Sequence, residues 1–239
     1  MAAAHETWKV LRHGPIEKLA DNLWRVTGAL PGMSLERTMV IARLRSGELV
    51  IHNAIAMDEG PMKEIEAWGT PAYLVVPNGG HRLDAPAFKR RYPGVRVVAP
   101  QGSRAKVEQV VAVDLDYEGF PTDDDTVRLE TLRGVAASEG VMLVRSDDGV
   151  TVVLNDVMFN MDTKKDFLGW FFTTVMGSAP GPRVSRLAKL VYVKDKKALR
   201  AEFERLAETP DLVRVIVAHE KVAHGTEAAA ALRQAATYL

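Results

Sequence analysis

The chain has 239 residues, with 31 Lys and Arg balanced by 31 Asp and Glu, and no cysteine. That length is enough for one domain with a sizeable core. The zero balance gives no bulk reason to bind nucleic acid or an anionic membrane, and the missing thiols exclude disulfides, Cys-ligated zinc and a cysteine nucleophile. The expected partner is therefore a small-molecule ligand or substrate, with no nucleic acid and no membrane. Near-zero net charge also eases self-association, which is compatible with a homodimer.

The N-terminal stretch "MAAAHETWKV" lacks the apolar core of a signal peptide, so the expected location is the cytoplasm. Residues 1–20 carry no periodic pattern and read as loosely ordered. "LWRVTGALPG" and "RTMVIARLRSGELVIHNAI" then read as β-strands, with Ser46-Gly47 turning the chain between two of them. "DEGPMKEIEAWG" has Pro61 in a first helical turn and Gly69 as a stop, so it reads as a short helix.

A strand over 72–76, a helix over 85–91 and a strand over 95–99 make a βαβ rhythm, which calls for parallel neighbours in the sheet. A further short helix is expected over 103–110. "DDDTVRLETLRG" and "GVMLVRSDDGVTVVLND" read as a meander, with Asp148-Gly149 as a hairpin signal. The last third reads as helices over 184–191, 196–207 and 227–238, with one buried strand, "VRVIVA", at 213–218. "DFLGWFFTTVMG" at 166–177 concentrates aromatic residues and is too short to span a bilayer. It is read as core, as a dimer contact, or as a wall over a cleft. The sum is a single domain over 1–239, α/β (α+β), with two β-rich sheets flanked by helices.

Three polar residues share one context. His81 follows the strand ending at Val76, Asp156 follows the strand ending at Leu154, and His219 follows the strand ending at Ala218. Residues just past strand ends share a cleft in α/β proteins, and two imidazoles with a carboxylate suit zinc, iron or manganese. On the residues alone the blander roles stay open: His81 as a loop residue, Asp156 as a turn cap, His219 as a half-buried partner of Glu220.

The order of elements adds to this. "VPNGGH", followed by "FKRRYPGVRVVA", then the turn "RGVAASEG", then "VVLND", then a histidine after a late strand, resembles the metallo-β-lactamase-fold superfamily over about residues 20–235. The resemblance is to a degenerate branch with incomplete metal motifs. It implies a four-layer αββα sandwich. In that register Val76, Asn78 and Val135 stand where the first metal site has its three histidines, and Gly80 stands for a carboxylate of the second. His81, Asp156 and His219 remain.

The implied function is a single-metal hydrolase acting on a small ester, thioester or amide, with Asp156 as the catalytic and metal-binding carboxylate. One divalent metal is implied, zinc first, iron or manganese next. The alternative is a non-catalytic, metal-free relative that uses the cleft for binding or assembly. Activity on β-lactams is not expected without the first site. His52 and Asn78 are candidates to support the ligands or contact substrate. Asp84 could either replace the carboxylate missing at Gly80 or cap the helix that follows it. Val76 and Val135 are expected to line the vacated neighbouring site.

Overall fold

The computed structural model describes residues 3–121 and 123–239. Strands β1 (Glu17–Ala20), β2 (Leu23–Leu30), β3 (Met33–Arg43), β4 (Glu48–His52), β5 (Thr70–Val75) and β6 (Arg96–Val98) form one sheet in that order. The first four pair antiparallel. Helix α1 (Glu59–Trp68) carries the chain from β4 to a parallel β5, and α2 (Ala85–Arg91) carries it from β5 to a parallel β6. The short helix α3 (Arg104–Val107) follows, ending before the boundary expected for it.

The second sheet contains β7 (Val127–Thr131), β8 (Gly140–Ser146), β9 (Gly149–Val153), β12 (Leu212–Ile216) and β13 (Ala223–His224), in the order β13-β12-β9-β8-β7. The β8–β9 hairpin turns at Asp147-Asp148 and closes on Gly149. Gly149 has φ +136°, and an added Cβ would lie 2.4 Å from the Asp211 carbonyl oxygen, so only glycine fits. Between the sheet strands lie the ribbon β10 (Phe159–Met161) and β11 (Gly181–Arg183) and helix α4 (Phe167–Trp170), which runs on as a π-helical turn through Val175. Helices α5 (Arg186–Val191), α6 (Lys196–Ala207) and α7 (Thr226–Ala236) complete the chain.

Period-two alternation sorts the strand residues into three apolar layers. Val40, Ala42, Val50, Tyr73 and Val75 of the first sheet meet Val127, Met142, Val144, Val153 and Ile216 of the second. Their neighbours Met39, Ile41, Ile51 and Leu74 face the other way, onto Met62 and Ile65 of α1, Phe88 of α2 and Val107 of α3. Val141, Val152 and Val215 likewise turn outward onto Ala188 of α5, Phe203 and Leu206 of α6 and Leu232 of α7. Three apolar layers between four structural layers make an αββα sandwich, as the resemblance implies.

The N-terminal segment departs from expectation. Rather than being loose, it pairs Glu17–Lys18 with Trp24–Arg25 and bridges His13 to Gly28. Trp8 donates to the Met57 carbonyl at 3.0 Å and packs 5.0 Å from the Phe88 ring. Tertiary partners far along the chain hold it, which no local pattern announces. The aromatic segment divides: Phe172 is half-buried, while Phe167, Leu168, Trp170 and Phe171 are exposed, so it is not core. Among the described residues no helix is long and apolar enough to cross a membrane.

Candidate metal centre

The three strand ends do not belong to one sheet. β5 lies in the six-stranded sheet, whereas β9 and β12 are parallel neighbours in the other. The pairing Val153↔Ile216 sets β9 and β12 in register, so Asp156 and His219 emerge at the same height. The Leu154 amide donates to the Ile216 carbonyl at 2.9 Å, which fixes that height. His81 reaches the same point from across the sandwich. Its loop is set by Asn78, whose side-chain oxygen accepts from the amides of Gly80 at 2.7 Å and His81 at 3.1 Å. Gly79 allows the loop to lie against α3, since an added Cβ would be 2.9 Å from the Lys106 Cβ.

His81, Asp156 and His219 each present one potential ligand atom, all within 4.8 Å of one another. His81 Nε2 is 2.9 Å from Asp156 Oδ1, and His219 Nε2 is 3.3 Å from the same oxygen. His219 Nδ1 lies 2.7 Å from the Glu36 carbonyl oxygen of β3. That oxygen can only accept, so Nδ1 carries the proton and Nε2 is the atom offered to the centre. The imidazole also stacks on Phe159, with ring centroids 5.6 Å apart and planes 9° from parallel.

The second oxygen of Asp156 is held separately. It accepts from Asn78 Nδ2 at 3.2 Å and from the Tyr192 hydroxyl at 3.1 Å. Burial opposes ionisation of Asp156, but the adjoining His81 and His219 hold its carboxyl well below the usual range. Burial likewise opposes charging of His219, and the hydrogen bond and charge of Asp156 outweigh it, raising the imidazole pKa. Burial and then Asp156 push the Tyr192 phenol upward, so it stays a donor.

A carboxylate that sequence reasoning missed lies beneath the trio. Glu139 is fully buried, and one of its oxygens accepts from the amides of Asn155 at 3.1 Å and Val157 at 3.0 Å. Its other oxygen accepts from Asn78 Nδ2 at 3.1 Å. Burial, then the charge of Asp156, raises its pKa to about 8. In "RGVAASEG" the residue looks like an ordinary turn carboxylate, and Tyr192, at the end of α5, carries no signal either. Asn78 is thus a fork between two carboxylates, with its oxygen spent on its own loop.

The other assignments change accordingly. Val76 and Val135 do not line the cavity; each is fully buried, Val76 in the layer under α1–α3 and Val135 in the layer under α5–α7. Asn78 and His52 are buried and do not line the cavity. Asp84 does not join the trio, and although it stands at the N-cap of α2 its side chain makes no capping hydrogen bond there. It is fully buried against Arg37, accepts from the Ala56 amide at 2.9 Å and lies 2.7 Å from His5 Nδ1.

His52 ends β4 with 1% exposure, its Nε2 3.4 Å from Asn155 Nδ2 and its Nδ1 unpartnered among the described residues. Burial, then nearby His81, lowers its pKa to about 3. It is neutral when folded, and unfolding lets it take up a proton below its ordinary pKa of about 6.5. Its contribution to stability is therefore complete above about 6.5 and is lost as pH falls toward 3. In that window the unfolding free energy of the wild type should fall with pH more steeply than that of His52→Gln, by roughly 1.4 kcal/mol per pH unit. Denaturant melts of both proteins at several pH values measure this, and parallel curves would refute it.

The trio opens into a cavity of about 300 Å³, walled by Leu30, Leu35, Phe159, Phe172, Leu187 and Val191. Clefts of this size with a few converging polar groups are the usual form of a small-molecule site.

No sequence-family model and no curated protein matches the chain. Solved structures do. The DIM-1 metallo-β-lactamase exposed to ceftazidime superposes with TM-score 0.63 at 12% identity, covering 96% of this chain and 97% of that one. The chain has the metallo-β-lactamase fold. A metallo-β-lactamase from Pontibacter korlensis matches with TM-score 0.57 at 14% identity, over 94% of this chain and 99% of that one. One from Hirschia baltica matches with TM-score 0.59 at 14% identity, over 92% and 97%. In this metallo-β-lactamase-fold chain, the αββα layers and the meeting of loops from both sheets at His81, Asp156 and His219 are parts of one arrangement.

Proposed function

We propose that the chain is a single-metal hydrolase acting on a small ester, thioester or amide, with His81, Asp156 and His219 holding one divalent ion, zinc before iron or manganese. The observation that carries this reading is the convergence of three ligand atoms within 4.8 Å at the floor of an apolar cavity. The donor set fits such an ion: two imidazoles and one carboxylate leave a position open. A divalent ion there supplies Lewis-acid polarisation of a carbonyl and lowers the pKa of water.

The chain's own residues do the rest. The Glu36 carbonyl orients His219, and Asn78 sets the loop that carries His81. Tyr192 and Asn78 hold one oxygen of Asp156, leaving Oδ1 for the centre. At the positions where the resemblance puts a second ion's histidines, Val76 and Val135 offer no donor and the Asn78 oxygen is occupied. Phe159 and Phe172 shield the centre from bulk water.

A second reading rests on a different feature of the same geometry. Asp156 Oδ1 lies within hydrogen-bonding reach of both imidazoles, so the trio can satisfy itself with protons. That suits a metal-free binding protein. Metal analysis of protein purified without chelator separates the two. The expected result is one equivalent per chain and chelator-sensitive ester hydrolysis. Two equivalents would sink the one-ion assignment. No uptake even after titration with zinc, iron and manganese would favour the metal-free reading.

A further inference from the structure

The cavity walls say what part of a ligand they are shaped to hold. Leu30, Leu35, Phe172, Leu187 and Val191 supply much of its apolar lining, Phe172 with its ring 6.5 Å from that of His219. Of the two cations that touch it, Arg37 has 3% side-chain exposure and is neutralised by Asp84, whereas Arg82 uses one guanidinium nitrogen on the Lys106 carbonyl and Gln109 Oε1 and pairs with no carboxylate among the described residues. Asn53 gives its amide to the Thr38 carbonyl at 2.7 Å. Beyond the trio, Tyr192 and the Arg82 guanidinium, the lining therefore offers a ligand little besides hydrocarbon. We infer that the substrate carries an uncharged apolar arm, seated against α5 and Phe172, with its reacting carbonyl at the His81–Asp156–His219 end. This rests on reading the trio as the reacting centre.

The volume limits the arm. At about 30 Å³ for each water-sized group, 300 Å³ holds about ten heavy atoms. Burying a methylene in such walls should tighten binding about fourfold. The probe is a series of n-alkanols from butanol to dodecanol, titrated calorimetrically into metal-free protein. Affinity should rise about fourfold per methylene and level off near about ten heavy atoms. Leu187→Ser should weaken decanol binding about tenfold, while Leu190→Ser, at a position 79% exposed and outside the cavity, should leave it unchanged.

Affinity independent of chain length, or equal losses in the two variants, would overturn the inference. The assay needs neither metal nor turnover, so it fails independently of the hydrolase reading. Length-dependent binding without metal-dependent hydrolysis keeps the arm and removes the hydrolase. Metal-dependent thioester hydrolysis at the same rate for acetyl and octanoyl groups, with no alkanol binding, keeps the hydrolase and removes the arm.

Discussion

Asp156→Asn is expected to lower divalent-metal affinity by more than about 100-fold while leaving the fold intact. Replacing even the groups that orient metal ligands costs 10- to 100-fold, and Asp156 would be a ligand itself. It is also the only anion of the trio, so its loss removes the charge that favours a dication. The protein around it can accept the amide. The Asn oxygen can take the hydrogen bonds now donated by Asn78 Nδ2 and Tyr192, and the Asn NH2 can face the Nε2 atoms of His81 and His219. Size is unchanged, so the thermal midpoint should stay within a few degrees of the wild type. Metal analysis of wild type, Asp156→Asn and His219→Ala after identical purification is the measurement. One equivalent retained in both variants would place the ion elsewhere. Loss of metal accompanied by a collapse of the melting transition would mean that Asp156 is chiefly a structural residue.

That the trio could be found at all reflects a regularity of strands. A strand fixes the direction of the residues just after it, so a histidine or aspartate at that place is legible even when its partners lie far away. Val153 and Ile216, paired across β9 and β12, carry Asp156 and His219 to the same height, and the apolar runs announcing those strands are plain in the sequence. The layers were legible for the same reason: Val40 and Ala42 face one way, Met39 and Ile41 the other. The surroundings of the trio were not legible. Glu139 and Tyr192 meet Asp156 only because the loop before β8 and the end of α5 fold over the same strand ends. Asn78 looked like a bare replacement for a ligand, yet its amide serves two carboxylates from distant segments. His5 and Trp8, in a segment without periodicity, find their partners more than forty residues on, at Asp84 and Met57. Charge pairing across such separations leaves no pattern in one chain.

The Arg37–Asp84 pair was hidden in that way, and the largest stability effect is expected there. Their side chains have 3% and 0% exposure. Arg37 also donates to the Ala54 carbonyl at 3.1 Å, and Asp84 accepts from the Ala56 amide, so the pair ties β3 and the chain after β4 to the start of α2. The His5 contact adds the N-terminal segment to the same knot. Asp84→Ala would leave a guanidinium buried without its counter-charge, a loss of about 3–5 kcal/mol. For a chain of this size that is a fall in melting temperature of roughly 10 °C. The geometry also separates the pair from its lone members. Arg37→Met with Asp84→Leu removes both charges and fills similar space, so the double variant should recover most of the loss, short of what the orphaned Ala54 carbonyl and Ala56 amide cost. Arg37 borders the cavity as well. Freed by Asp84→Ala, its guanidinium should give the cavity an affinity for decanoate at least about tenfold above the wild type, since an unpaired buried cation recruits an anion. Melts of the two single variants and the double, with decanoate titrations of the first, test both claims. Single variants within about 1 kcal/mol of the wild type would show that this pair is not what holds the two segments together.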